Sequence, residues 1–229
     1  MQPQYEYYYN NVPGKGLCRN NLIYTSLISN DKKTFVQWYY NDTTYHKNQN
    51  EVVDPGLMTE KWEREVKYLT IMNKSFPQHV PAILDIDYKS RKIYLEIDGV
   101  DLWEENGCTD NYDSFPEWKD QMLDIMAAHR TKGIYKCSLH PSSYFVVAGK
   151  LKSINYFFCY DDNDPGISIE SVLSHISPDR RKKLVPVLES MGYKLSDVMP
   201  LDKLQDLAFE SFRSNFPDSF IDVAKEIYV

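Results

Sequence analysis

The stretch from Gly133 to Phe157, GIYKCSLHPSSYFVVAGKLKSINYF, decides how this chain is interpreted. Its frame consists of small, apolar and loop-forming residues, with proline and glycine where the chain is expected to turn. These frame residues are Gly133, Ile134, Leu139, His140, Pro141, Phe145, Val146, Gly149 and Ile154. The polar residues between them, on which the functional argument depends, are Lys136, Ser138, Ser143 and Asn155.

The spacing of this frame resembles the catalytic segment of small kinase-like phosphotransferases of the aminoglycoside phosphotransferase and lipopolysaccharide kinase type. Those enzymes carry G-I-x-H-x-D-L-H-P-x-N, and after a short turn an apolar residue followed by I-D-F. Here Ser138 stands at the position of the catalytic Asp, and Ser143 at that of the metal-binding Asn. Asn155 replaces the metal-binding Asp of D-F-G, and Lys136 replaces the His of the loop. The resemblance implies an α+β, bilobal protein-kinase-like fold in which residues 1–99 form an antiparallel-sheet N-lobe and residues 100–229 a helical C-lobe.

These replacements argue against ordinary kinase catalysis. Phosphoryl transfer relies on positioning and on charged groups that orient the hydroxyl and hold Mg²⁺ against the phosphates. Ser138 has no carboxylate with which to accept a proton, and Ser143 and Asn155 offer Mg²⁺ only neutral oxygen atoms. The leading interpretation is therefore a pseudokinase without a cofactor, which acts by binding a protein.

The N-terminal half has the element order of a kinase small lobe. Leu22–Ser29 and Thr34–Tyr40 predict a hairpin, with a possible upstream strand at Tyr5–Asn10. Gly14-Lys15-Gly16 lies where kinases place their glycine-rich loop, although the third glycine is missing. The strand that usually ends in V-A-I-K contains no lysine here, and Lys33 precedes it in the turn.

Three acidic residues in this half are candidate cofactor-binding positions under the resemblance. Glu65 belongs to a helix predicted from Met58 to Asn73 and lies within or beside its apolar stripe. A glutamate there has either a cationic or hydrogen-bonding partner, as in kinases, or an edge position that reaches water. Glu96, near the end of the predicted strand Ile93–Ile97, and Asp98, just after it, lie at the position of the hinge, whose backbone binds adenine in the family.

The C-terminal half predicts helices and two charged surfaces. Ser114-Phe115-Pro116-Glu117 predicts a capping box for a helix that buries Trp118, Met122, Ile125 and His129. Asp161, Asp162 and Asp164 lie in a sequence with strong turn chemistry, which favours a solvated turn over a metal site. The basic run Arg180–Lys183 favours a solvated helix face over a partner patch.

Composition sets the wider limits. The chain has 229 residues, 42% of them hydrophobic, which is enough for a sizeable core. Its formal net charge of −7 opposes nucleic acid as the main target. Four widely spaced cysteines without a C-x-x-C pair suggest reduced thiols, and no apolar run approaches the roughly 20 residues of a membrane helix. We therefore expect a soluble, intracellular, cytoplasmic protein without membrane insertion.

Two alternatives remain open at the level of sequence. The first is an atypical phosphotransferase that uses ATP and Mg²⁺, with Asn155, Asp161 or Asp162 at a non-standard metal site. The second is an unrelated α+β binding protein that only imitates the order of the elements. A carboxylate from outside the motif aimed at the pocket would favour the first, and a sheet without a hinge cleft the second.

Overall fold

A computed structural model describes residues 7–8, 24–29, 31, 33–39, 45–46, 51–52, 55–98, 112, 115–164, 166–174 and 178–228. The helices are α1 (Pro55–Ser75), α2 (Trp118–Thr131), α3 (Ile169–Ser174), α4 (Pro178–Ser190), α5 (Leu201–Ser211) and α6 (Asp218–Glu226). The strands are β1 (Tyr7–Tyr8), β2 (Tyr24–Ser29), β3 (Thr34–Tyr39), β4 (Tyr45–His46), β5 (Glu51–Val52), β6 (Ile83–Asp87), β7 (Lys92–Glu96), β8 (Ile134–Lys136), β9 (Tyr144–Val147), β10 (Lys150–Ser153), β11 (Cys159–Asp161), β12 (Ile167–Ser168) and β13 (Val198–Met199). Short 3₁₀ turns lie at Pro77–His79, Pro141–Ser143, Tyr156–Phe158 and Arg213–Asn215. Every strand pair among these residues is antiparallel, which confirms the predicted α+β class.

The largest sheet has the strand order β1-β2-β3-β7-β6. The predicted hairpin is confirmed, because β2 and β3 pair with Tyr24 opposite Tyr39 and Ile28 opposite Phe35. Side chains alternate between the two faces of a strand, so Phe35, Gln37 and Tyr39 share one face of β3. All three are fully buried. This face therefore carries the polar ends of Gln37 and Tyr39 into the interior.

Helix α1 packs on the same hydrophobic cluster as this sheet. It buries Trp62, Leu69 and Met72, as the helical spacing predicted. It starts and ends two to three residues beyond the predicted bounds, at Pro55 and Ser75. Pro77 follows directly after Phe76, and a residue before proline is disfavoured in helical geometry, so the helix stops there.

Helix α2 begins later than the capping box predicted. Its first helical residue is Trp118, and Glu117 at the N-cap makes no side-chain cap. The four residues expected in its core are buried: Trp118, Met122, Ile125 and His129. The predicted end is confirmed at Lys132, followed by Gly133 with a φ of +64°. Glycine is favoured there by the left-handed φ, and a Cβ atom, 2.3 Å from Oδ2 of Asp162, would also displace that exposed side chain.

A second hydrophobic cluster joins α2 to the C-terminal helices. Its centre is a stack of aromatic rings in which Tyr112 lies 4.7 Å from Trp118 and 5.0 Å from Phe216. Two strand pairs, β8 with β11 and β9 with β10, contribute side chains to both hydrophobic clusters. Strands β8, β9 and β10 belong to the stretch from Gly133 to Phe157. The predicted boundary between the N-lobe and the C-lobe, at residues 99 and 100, stays a prediction, because residues 99–111 lie outside the described ranges.

Candidate functional site

Three sequence-predicted positions meet in one hydrogen-bonded cluster. Ser138 follows β8, Ser143 ends the short 3₁₀ turn, and Asn155 follows β10. The Oγ atoms of Ser138 and Ser143 lie 2.8 Å apart, and Nδ2 of Asn155 donates to Oγ of Ser143 at 3.1 Å. Ser143 and Asn155 are buried, with 1% and 5% of their surface exposed. The side chains of this cluster, which we call the serine–asparagine cluster, carry no formal charge.

The carbonyl oxygen of the Asn155 side chain is already saturated. It accepts hydrogen bonds from the hydroxyl of Tyr24 at 2.6 Å and from Nε2 of Gln37 at 3.2 Å. A carbonyl oxygen has two lone pairs, so a metal ion would have to displace one of these donors. Asn155 also has a left-handed backbone with a φ of +64°, a conformation that asparagine tolerates better than most residues.

Tyr24 fills the space between the sheet and the segment that follows Asn155. Its ring centroid lies 5.3 Å from that of Tyr39 and 6.2 Å from that of Phe157, and only 1% of its surface is exposed. Sequence reasoning missed both Tyr24 and Gln37 as members of the site. The available signal was the alternation of β3, which places a polar Gln37 on the same face as Phe35 and Tyr39.

Lys136 binds the backbone next to the serine–asparagine cluster. Its Nζ atom donates to the carbonyl oxygens of Ile154 and Asn155, both at 2.8 Å. The side chain is fully buried, and this burial lowers the pKa of the ammonium group. Two charge-assisted bonds from one buried side chain thus hold the backbone at the position where Asn155 takes its left-handed conformation.

Glu65 is a fully buried carboxyl group with partners, so the interpretation in which it reaches water is wrong. Its Oε2 atom accepts from the hydroxyl of Tyr39 at 2.9 Å and from the backbone N–H of Phe157 at 2.7 Å. Burial raises the pKa of Glu65 to about 7. The strand therefore presents a tyrosine to this glutamate, where the kinase resemblance implied a lysine.

Glu96 and Asp98, the two predicted hinge positions, are exposed at the end of β7 and just beyond it. Asp98 pairs with Lys33 at 3.1 Å, with more than half of each side chain in solvent. Exposed pairs of this kind contribute little to stability. The predicted glycine-rich segment at residues 14–16 lies outside the described residues.

The acidic turn differs from the solvated turn that its sequence predicted. Asp161 is only 9% exposed and binds Nζ of Lys67 at 2.5 Å, while its Oδ1 accepts from the N–H of Asn163. Asp164 accepts from the N–H of Asp161 at 2.8 Å and pairs with Arg64 at 3.5 Å. The turn is therefore fastened to α1, because both cations belong to that helix. The turn residues were predictable, but their partners about a hundred positions earlier were not.

Asp162 is the exposed member of the turn. It pairs with Arg130 at 3.1 Å, with 57% of its side chain in solvent. Beside it lies an open cavity of about 480 Å³. The cavity is lined by Arg130, Tyr135, Asp162, Asp164, Gly166, Val198, Pro200, Leu201, Asp202 and Tyr228. This surface carries more acidic than basic side chains.

The two histidines of interest have structural partners. His129 is buried, and its Nε2 lies 2.9 Å from the hydroxyl of Tyr156, so its partner is a side chain. His140 organises its loop, because Nδ1 accepts from the N–H of Ser142. Cys137 and Cys159 are buried free thiols.

Two features are missing among the residues that the structure describes. These residues contain no group of three or more His, Cys, Asp or Glu side chains arranged to hold a metal ion. They also contain no helix with the length and apolar character required to cross a bilayer. Compared with known proteins, the sequence matches no protein-family model and has no significant match among curated proteins.

Proposed function

We propose that this chain is a kinase-like protein that has lost phosphoryl transfer and acts by binding another protein. The observation that carries the proposal is the serine–asparagine cluster. Ser138, Ser143 and Asn155 are the positions at which the resemblance implies the catalytic base and two metal ligands, and they lie within hydrogen-bond distance of one another. This convergence is what the resemblance implies, although the β9–β10 hairpin by itself also brings Ser143 close to Asn155.

The order of elements supports the same proposal. An antiparallel sheet with one packed helix, α1, is followed by a mostly helical part, which is the arrangement of a kinase N-lobe and C-lobe. Glu65 on α1 faces strand β3 and the segment after Asn155, as the corresponding kinase glutamate does under the resemblance. The bilobal arrangement and the domain limits 1–99 and 100–229 are part of this proposal.

The loss of chemistry follows from the groups that remain. Serine hydroxyls are poor general bases, and the Asn155 carbonyl already accepts two hydrogen bonds. Tyr24 occupies the space next to Asn155, where the resemblance implies a metal ion and phosphates. Nothing in the described residues favours the alternative phosphotransferase, because Asp161 and Asp162 are already paired with Lys67 and Arg130.

The acidic side of the molecule is the surface that we assign to the partner. Asp162 and the neighbouring cavity combine exposed carboxylates with aromatic and apolar walls, which suits a basic side chain on a partner protein. Asp161 is excluded from a binding test because it is buried and holds the turn on α1. The informative variant is therefore Asp162→Lys, with the exposed Lys182→Glu on α4 as its matched control.

The experiment has two arms. In the first, the protein is incubated with labelled ATP and Mg²⁺, alone and with common protein and small-molecule acceptors. We expect no transfer, and turnover that disappears in Asn155→Ala would support the phosphotransferase instead. In the second arm, a partner captured by the wild-type protein should be retained by Lys182→Glu and released by Asp162→Lys, at unchanged thermal midpoints. The opposite pattern would show that the basic face binds the partner.

A further inference from the structure

Three buried ionisable side chains converge on one short segment, residues 154–158. Lys136 binds the carbonyl oxygens of residues 154 and 155, and Glu65 accepts the N–H of Phe157. Lys61 donates to the carbonyl oxygen of Phe157 at 3.3 Å and lies 4.7 Å from the ring centroid of Phe158. Lys61, Glu65 and Lys136 are each fully buried. Ionisable residues are rarely buried so completely, so a group of three around one segment is unusual.

Two of the three side chains come from the same helix. Lys61 and Glu65 lie one turn apart on α1, whereas Lys136 ends β8. The contacts of Glu65 also reach Tyr39 on β3. This single carboxyl group therefore joins α1, the central strand of the sheet and the segment after Asn155. A change in its charge acts on all three elements at once.

One oxygen of Glu65 has no hydrogen-bond donor in the described part of the chain. Oε2 receives both hydrogen bonds, whereas Oε1 has no hydrogen-bond partner among the residues that the structure describes. An ionised carboxylate would leave Oε1 charged, buried and without a donor, which is costly. A proton on Oε1 removes the negative charge, the larger part of that cost, and leaves both bonds to Oε2 in place.

We propose that Lys61, Glu65 and Lys136 form a pH-sensitive clamp on residues 154–158, which is closed when Glu65 is protonated and loosens when Glu65 ionises. Loosening means that α1 separates from the segment far enough for water to reach the carboxylate. The inference concerns the segment that also carries Asn155. The contacts of these three side chains carry the clamp, which does not depend on the proposed function.

The ionisable groups that surround Glu65 support a clamp that loosens when this residue ionises. The neighbouring titratable groups are Tyr24 on β2, Tyr39 on β3, Lys61 on α1, Lys136 on β8, Tyr156 in the 3₁₀ turn and Cys159 on β11, with His129 of α2 behind Tyr156. Burial raises the pKa of Tyr39, of Tyr156 and, to about 12, of Cys159, so these groups stay neutral at ordinary pH. Burial lowers the pKa of His129. The carboxyl of Glu65, with a pKa of about 7, is a group whose charge changes near neutrality.

The expected size of the effect follows from linkage. The folded-state pKa of Glu65 is about 7, and the ordinary value is 4.5, so the closed clamp binds the proton more tightly than the open one. Closure is therefore most favourable at low pH and loses this contribution as the pH rises through 7. Between pH values of about 5.5 and 8, the ratio of closed to open forms should fall by roughly 30-fold. The lysines act in the opposite sense, because burial lowers the pKa of Lys61 and Lys136.

Hydrogen exchange of the Phe157 amide tests the clamp, because this N–H donates to Glu65. Exchange is measured by NMR on the full chain between about pH 5.5 and 8, with the intrinsic pH dependence of exchange divided out. The protection factor should fall by roughly 30-fold more in the wild-type protein than in Glu65→Gln, in which the buried lysines alone contribute a pH dependence. The control Glu63→Gln, an exposed position on the same helix, should behave as the wild type. The same pH dependence in the wild-type protein and in Glu65→Gln overturns the proposal.

A measurement on the unmodified protein covers the case in which Glu65→Gln does not fold. The side-chain carboxyl carbon of Glu65 is followed by NMR as the pH is changed. A midpoint near 7 supports the clamp, and a midpoint near the ordinary 4.5 overturns it. Lys136→Met should move the midpoint to higher pH, because the Lys136 charge lowers the pKa of Glu65. An unchanged midpoint in that variant would remove Lys136 from the clamp.

Discussion

Replacing Asn155 tests whether this residue is a structural centre of the site. Its side chain accepts from Tyr24 and Gln37 and donates to Ser143, and all four residues are buried. Asn155→Ala removes the acceptor for two buried donors, each a loss of about 1 to 3 kcal/mol. Alanine at a φ of +64° adds about 1 kcal/mol of backbone strain. We expect the free energy of unfolding to fall by about 3 to 7 kcal/mol.

A second substitution separates the side chain from the backbone. Asn155→Gly loses the same hydrogen bonds but adopts the left-handed conformation without strain, so it should be about 1 kcal/mol more stable than Asn155→Ala. Asn163→Ala, at an exposed position in the acidic turn, is the control and should change the stability by less than about 0.5 kcal/mol. Urea unfolding followed by tryptophan fluorescence measures all three. A loss below about 1 kcal/mol in Asn155→Ala would refute the hydrogen-bond reasoning, and a glycine variant no more stable than the alanine variant would refute the strain argument.

The remaining predictions concern the acidic turn, the buried glutamate and the catalytic position. Asp161→Asn should cost about 1 to 3 kcal/mol because it weakens a largely buried bond to Lys67, whereas Asp162→Asn should cost less than about 1 kcal/mol; equal losses in urea unfolding would contradict this. The folded-state pKa of Glu65 is raised to about 7, so its contribution to stability is present at low pH and is lost as the pH rises through 7. Between about pH 5.5 and 8, the wild-type protein should lose about 2 kcal/mol more than Glu65→Gln, and parallel pH profiles of the two would exclude this assignment. Ser138→Asp alone should restore no phosphate transfer from ATP, and measurable transfer would show that the metal ligands are not what limits the site.

Much of the framework was predictable because it depends on local pattern. Alternating and helical hydrophobic spacing identified the β2–β3 hairpin, helix α1 and the buried face of α2. The resemblance selected Ser138, Ser143 and Asn155 as related positions, although they are up to 17 residues apart, and the structure brings them together. Periodicity identifies which face of a helix or strand is buried. It does not identify the residues of another helix or strand that contact this face.

The contacts that define the site depend on residues far apart in sequence. Tyr24 reaches Asn155 across 131 positions and Gln37 reaches it across 118, and no local pattern predicts either bond. Asp161 appeared to be a turn residue because its neighbours favour a turn, but its charge is neutralised by Lys67, 94 positions earlier. The predicted capping residue Ser114 lies outside the described residues, and helix α2 starts later than predicted because a turn, closed by the bond from the N–H of Trp118 to the carbonyl oxygen of Phe115, occupies the positions before it.

The central claim is that the serine–asparagine cluster can no longer hold a metal–nucleotide complex. Calorimetric titration of the full chain with ATP, in the presence and absence of Mg²⁺, tests it most directly. The account predicts weak or undetectable binding that Mg²⁺ does not strengthen, because the Asn155 carbonyl is saturated and Ser138 and Ser143 bind each other. Tight binding that requires Mg²⁺ and is lost in Asn155→Ala would contradict it.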